Sequence, residues 1–327
     1  MSYRLSLLDK SPLAEGMCGA EALRTTLEAA ALADRLGYHR YWLAEHHGLP
    51  GLASAAPEVM IAQILARTRS IRVGSGGILL QNYGAWKVAE IFSVLAALHP
   101  GRVDLGVGKS PGGLPQVTRA LQRELRPGSA AEVGRKLTEL AAWLKGPAEG
   151  AEILPRPDSG PQPFLLGGSL ASAEQALSLG WSYVHAGHQD GNPELTAKVS
   201  ALFHHARGEG PVLAVAAFAA PTREEAESRI GGLTFVKVTF EDGHSVNLTS
   251  EEGAREYARQ YGPVDYDISK RTPVIVAGTA EDVHDRLSTL SQRYGIHEFV
   301  LDQPVAETAA RLNSISLIAR PVARAVA

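Results

Sequence analysis

Cysteine is almost absent: the 327-residue chain has one, Cys18. A single thiol forms no internal disulfide and no cysteine-based metal cluster, and such usage fits a reducing compartment, so a cytoplasmic location is expected. An excess of either charge is lacking too, with 32 Lys plus Arg against 35 Asp plus Glu and a formal net charge of −3. That balance leaves no basic footprint for nucleic acid. No run approaches the roughly 18 apolar residues of a membrane span. The first twelve residues carry Arg4, Asp9 and Lys10, which gives no apolar signal-peptide core. What remains is an ordinary globular composition, 45% hydrophobic and 20% charged, in a chain long enough for a large core.

Short apolar runs alternate with helical periods. The pattern predicts strands over 4–8, 40–44, 71–76, 102–107, 164–168, 182–186, 212–219 and 297–301. Helices are expected over 21–36, 57–69, 87–98, 130–144, 172–179, 193–207, 223–230, 280–293 and 305–323. In 21–36, Leu23, Leu27, Ala30 and Ala33 fall on one side of the helix. Capping boxes are expected at Ser129 with Glu132, Thr222 with Glu225 and Thr279 with Asp282. Continuous apolar strands such as 212–218 are typical of a parallel sheet buried on both faces. An open doubly wound sheet and a closed barrel both satisfy the alternation. The (β/α)8 TIM barrel is favoured, because the first four strands start at 4, 40, 71 and 102, spacings of 36, 31 and 31, with no composition break. A bare barrel needs roughly 250 residues. Insertions are therefore expected, most clearly at 119–129, 146–161 and 234–272.

Several strand ends carry chemistry. Gly106-Val107-Gly108-Lys109-Ser110 ends like a P-loop, but Val103 stands where the first glycine of that motif belongs, and no G-x-G-x-x-G follows a strand. A glycine-rich strand end with one cation remains, and it reads as either an anion site or a solvated loop lysine. Gly167-Gly168-Ser169 leads into a helix beginning near Ser172, either an anion-binding helix N-terminus or a plain N-cap. Glu45-His46-His47 closes the second strand; alternation sends at most one of the two histidines into a barrel mouth. Its spacing is not that of a metal-binding H-E-x-x-H helix, so no metal is expected. Gly74, Gly76 and Gly77 at the third strand end suit close approach of a flat ligand or a tight bend. Tyr83 and Trp86 follow, as pocket liners or helix packing. No G-x-S-x-G nucleophile elbow is present.

Taken in order, Gly37-Tyr38-His39-Arg40-Tyr41-Trp42-Leu43-Ala44-Glu45-His46-His47, Val73-Gly74-Ser75-Gly76-Gly77-Ile78-Leu79-Leu80, Lys87-Val88-Ala89-Glu90 leading into His99-Pro100-Gly101-Arg102-Val103-Asp104, and Gly278-Thr279-Ala280-Glu281-Asp282-Val283 resemble the bacterial luciferase-like, flavin-dependent monooxygenase family. The resemblance covers nearly the whole chain and implies one TIM-barrel domain over 1–327, homodimeric, using FMN that a separate flavin reductase delivers in reduced form. Such enzymes use dioxygen to oxidise a small organic substrate, here sulfur-containing or aldehydic. Carried onto this chain, the resemblance makes His46 the acid/base residue. Gly76 and Gly77 become the flavin floor, often joined by a cis peptide, Lys109, Gly168, Ser169 and Ser172 the flavin phosphate site, and Tyr83 a substrate contact. Gly168 and Gly108 replace a glutamate and a reactive cysteine of luciferase, and Gln81-Asn82-Tyr83 stands where many relatives have Pro-Asn-His. Lysine at 109 in place of arginine keeps the charge but loses bidentate geometry. A deazaflavin-dependent oxidoreductase and a flavin-binding protein without turnover are the alternatives.

Overall fold

A computed structural model describes residues 3–123, 130–148, 150–187, 191–248 and 250–319. All eight predicted strands form: β1 Arg4–Asp9, β2 Arg40–Leu43, β3 Arg72–Leu79, β4 Val103–Gly108, β5 Gln162–Gly167, β6 Ser182–His185, β7 Val212–Ala219 and, last in the chain, β12 Glu298–Asp302. They pair in parallel in that order, and β12 pairs with both β7 and β1, which closes the barrel. The fold is the expected TIM barrel, with helices between the strands.

Alternation along each strand sorts the side chains into two cores. Inside the barrel, Leu8, Trp42, Ala44, Phe164, Val184, Ala214 and Val300 pack together. Leu7, Tyr41, Leu43, Val73, Leu105, Leu165 and Leu301 point the other way, into the layer between barrel and helices. Helix Gly19–Leu36 shows how that layer is delivered: Ala22, Ala29, Ala30 and Ala33 are buried, and Gly37 ends it in the left-handed conformation at φ 79°. Its start is capped by Glu21, whose Oε2 accepts from the Cys18 N–H at 2.8 Å. The Thr279–Asp282 capping box forms as expected and the Thr222 hydroxyl accepts from the Glu225 N–H, whereas Ser129 and the end of the 305–323 helix lie outside the described residues.

The bottom of the barrel is polar. Asp104, fully buried, accepts from Arg40 Nη1 at 2.8 Å, Trp42 Nε1 at 3.0 Å and Arg72 Nε at 2.9 Å. Glu298 Oε1 accepts from Arg40 Nε and from the Ser6 hydroxyl, each at 2.7 Å. Two guanidinium groups thus balance two carboxylates, with Arg40, Asp104 and Glu298 buried and Arg72 partly open to solvent.

Four strands were not predicted. The expected insertion at 234–272 is a structured lobe, in which β8 Phe235–Phe240 pairs antiparallel with β9 Ser245–Leu248 and β10 Tyr266–Arg271. Helix Glu251–Tyr261 covers this sheet over a core of Val236, Val238, Phe240, Tyr257 and Ala258. The fourth, β11 Ile275–Gly278, pairs in parallel with Ala216–Ala219 of β7. The lobe rests on the segment after β4, where Gln260 Oε1 accepts from the Gln116 N–H at 2.9 Å. Among the described residues no helix is long and apolar enough to cross a membrane.

Candidate active site

The carboxyl ends of parallel barrel strands are where this architecture gathers functional groups. Going up β2, Trp42 and Ala44 face the barrel interior, so the next interior position is His46. Its backbone N–H donates to the Ser54 carbonyl at 2.8 Å, and Nδ1 lies 3.5 Å from the Ser54 hydroxyl. Burial pulls the imidazole pKa down to about 4; nearby Lys10 adds to this and Asp302 opposes it. His46 is therefore a neutral imidazole across the neutral range, able to donate at one nitrogen and accept at the other.

Glu45 and His47 face the opposite way, as alternation predicts. Glu45 is 2% exposed and is a hub. Its Oε1 accepts from His47 Nε2 at 2.6 Å and from the Tyr83 hydroxyl at 3.0 Å, and its Oε2 accepts from the Leu79 N–H at 3.0 Å. The His47 N–H donates to the Gly112 carbonyl at 2.8 Å. These bonds tie the ends of β2, β3 and β4 together behind the mouth. Tyr83, expected as a substrate contact, follows the short 3-10 turn Leu80–Asn82; its half-buried ring packs against the outer core, with its hydroxyl on Glu45. Trp86 packs edge-on against Trp143 at 4.7 Å, the helix-packing alternative.

The Gly76–Gly77 peptide bond is cis, and β3 changes register against β4 between Gly76 and Ile78. A Cβ on Gly76 would lie 2.6 Å from Leu8 Cδ1, and one on Gly77 would lie 2.7 Å from the Gly106 carbonyl oxygen. Glycine at 77 is thus required by the neighbouring backbone. A side chain at 77 therefore disturbs the strand pairing as well as any ligand surface. Gly77→Val is expected to strain the β3–β4 pairing by about 1–3 kcal/mol or more, seen as a lower melting temperature before any ligand is added. An unchanged melting temperature would show that β4 yields without cost.

Lys109, Ser169 and Ser172 stand at the ends of two neighbouring strands, β4 and β5. Lys109 follows β4; its Nζ lies 3.3 Å from Gln175 Oε1, on the helix Leu170–Leu179 that starts after β5. Half-burial lowers the Lys109 pKa. Ser169 caps that helix, accepting from the Ser172 N–H at 3.2 Å, and the two hydroxyls are 2.9 Å apart. Gly168 is exposed beside them. The helix comes down so closely that a Cβ on Gly167 would be 2.7 Å from Ser172 Cβ, a constraint the sequence reading missed. An ammonium, two hydroxyls and the free N–H groups of a helix start form a donor set that suits a phosphate.

Two further residues were missed. Lys10 continues the interior face of β1 two places above Leu8, and Asp302 that of β12 two places above Val300. Lys10 Nζ and Asp302 Oδ2 form an ion pair at 2.8 Å. A charged residue two positions beyond an interior leucine, at a strand's carboxyl end, was the available signal.

Comparison with known proteins agrees with this geometry. The family model for luciferase-like monooxygenases matches residues 6–298. N-acetyl-S-alkylcysteine monooxygenase of Bacillus subtilis is 40% identical, over 98% of both chains. The crystal structure of apo-MsnO8 is 32% identical and superposes with a TM-score of 0.77 over 97% of both chains. At 16% identity and a TM-score of 0.69, the oxygenating constituent of 3,6-diketocamphane monooxygenase from Pseudomonas putida, a type II Baeyer–Villiger enzyme solved with FMN, shares the fold over 99% of this chain and 98% of its own. With a barrel of this topology and a match of this extent, the chain belongs to the luciferase-like monooxygenase family and is an oxidoreductase.

Proposed function

We propose that this protein is an FMN-dependent monooxygenase that oxygenates a small thioether of the S-alkylcysteine class. The observation that carries the cofactor is that Lys109 reaches helix Leu170–Leu179 at Gln175 while Ser169 and Ser172 stand at the start of the same helix. The diketocamphane enzyme, solved with FMN, supports this reading, and the name of the Bacillus subtilis relative supports the substrate class. When bound, reduced FMN from a separate flavin reductase supplies two electrons to dioxygen, so that one oxygen atom enters the substrate and the other leaves as water.

The chain's own residues do the rest. Lys109 neutralises phosphate charge, Ser169 and Ser172 offer hydroxyls, and the helix dipole adds to both. Gly76 lets Leu8 and Trp42 pack directly against the β3 backbone, and the bare glycine pair offers backbone as the surface for a flat ring. His46 holds a hydrogen bond, or takes up and returns a proton, at the reacting atoms. Glu45 fixes the strand ends that carry His46 and the glycine pair.

The test is a titration of Lys109→Ala with FMN and with riboflavin. Loss of a charge-assisted contact is worth about 1.5–3 kcal/mol. FMN affinity is expected to fall roughly 10- to 100-fold, with riboflavin binding unaltered. Equal weakening of both would remove the phosphate role. Oxygen uptake with reduced FMN and a thioether substrate completes the test; turnover with reduced deazaflavin and none with FMN would overturn the proposal.

A further inference from the structure

The top of the barrel interior is lined by small and apolar groups, Ala44, Gly76 and Leu166 among them, with His46, Lys10 and Asp302 as polar exceptions. Lys10 and Asp302 are unequal partners. The Asp302 side chain is 9% exposed, and that of Lys10 is 31% exposed. An ammonium has three N–H donors. One is spent on Asp302 Oδ2 at 2.8 Å. The carboxylate is the more buried partner and the ammonium the more exposed, so the cation is the group open to an incoming molecule.

The arm that carries Lys10 is built rigidly. Ser11, the next residue, has a left-handed backbone at φ 48°, rare for a residue with a side chain. Three bonds hold it there. Its N–H donates to Asp9 Oδ1 at 2.6 Å, its hydroxyl accepts from Thr26 at 2.9 Å, and its carbonyl accepts from the Ala53 N–H at 3.0 Å. Asp9 is itself fixed by buried Arg311, Nη1 to Oδ1 at 3.2 Å, and by the Tyr41 hydroxyl. Strain that its surroundings over-determine is characteristic of functional positions.

The place of Lys10 also matches a distance. β1 and β2 are neighbours, with Leu8 beside Trp42 and Asp9 beside Leu43. Adjacent strands are about 4.8 Å apart, so Lys10 stands about one strand away from His46. Across the three bonds from sulfur to the carboxyl carbon, an S-alkylcysteine spans roughly 4 Å at ordinary bond lengths. Lys109, by contrast, lies at the β4–β5 side, on the far side of the barrel in the order of strands.

We infer that Lys10 is the anchor for the substrate's carboxylate. A thioether acid would place its sulfur before His46 and the glycine pair and its carboxylate on the two remaining N–H groups of Lys10, with Asp302 keeping the ammonium charged and aimed. This rests on the substrate class proposed above. It makes Lys10 a specificity residue, which selects acids over neutral thioethers of the same shape.

The experiment compares N-acetyl-S-methylcysteine with its carboxamide under reduced FMN and oxygen, in the parent, Lys10→Gln and Lys10→Arg. Glutamine loses the charge but still offers Asp302 a donor, so the fold has a partner in place. The parent is expected to prefer the acid at least tenfold in kcat/KM. In Lys10→Gln the acid should lose at least tenfold more than the amide, through KM rather than kcat, and Lys10→Arg should restore most of the preference. Equal losses on acid and amide would make Lys10 merely structural and overturn the inference. A parent that oxidises both without preference overturns the anchor alone. A parent that oxidises neither removes the proposed substrate class, and the anchor with it.

Discussion

Asp104→Ala is expected to be the most damaging single substitution in the barrel, although it lies far from the mouth. Asp104 takes four hydrogen bonds from three side chains, two of them from Arg72 alone, at 2.9 and 2.6 Å. Removing it leaves the network with two guanidinium groups and one carboxylate. Burial works against the charge of Arg40, and it is the nearness of Asp104 and Glu298 that keeps its pKa above the ordinary value. Deleting one partner of a buried pair leaves an uncompensated charge and costs about 3–5 kcal/mol. In a chain of this size that corresponds to a fall in melting temperature on the order of 10 °C. Asp104→Asn, which keeps some acceptor capacity at the same volume, should lie between the two. Thermal and urea melts check this, and a loss below about 1 kcal/mol in Asp104→Ala would mean that water reaches the bottom of the barrel.

The contrast between Asp104 and Lys109 shows what was readable in the chain. Lys109 and Ser169 are legible because their chemistry is local: a glycine-rich strand end, or a strand end running into a helix cap. The eight barrel strands are legible for a similar reason, since strands buried on both faces are short apolar runs whatever they pair with. Pairings across the barrel are not local. Lys10 and Asp302 are 292 positions apart, as are Ser6 and Glu298. Only closure of β12 onto β1 brings them together. The lobe strands were missed for a different reason. β10 reads Tyr-Asp-Ile-Ser-Lys-Arg, with four of its six residues exposed, and it is a strand because β8 is beside it. Tyr83 shows a third limit: its position after the glycine-rich strand is plain in the sequence, whereas the turn that sets its hydroxyl on Glu45 is not.

His46→Ala should leave reduced-FMN binding in place and slow product formation roughly 10²–10⁴-fold, the usual worth of a positioned acid/base group, with oxygen consumption diverted into hydrogen peroxide. The imidazole is neutral above about pH 4, so activity that depends on it should be level across the neutral range and fall toward pH 4 as it gains a proton. The same shift enters stability with a definite sign. Unfolded histidine takes up a proton near pH 6.5, whereas folded His46 resists until about pH 4. Between these values the unfolded chain binds more protons, so the parent loses stability as the pH falls from about 6.5 to 4. His46→Ala should lose less over that window, measurable as a shallower decline in melting temperature. His47→Ala makes the control. Its imidazole bonds Glu45 in the wall and not the mouth, so removing it should lower stability more than it lowers the rate of the folded enzyme. Coupled turnover, peroxide release and melting curves on both variants decide the matter. A fully active His46→Ala beside a folded but inactive His47→Ala would put the chemistry on the other face of the strand.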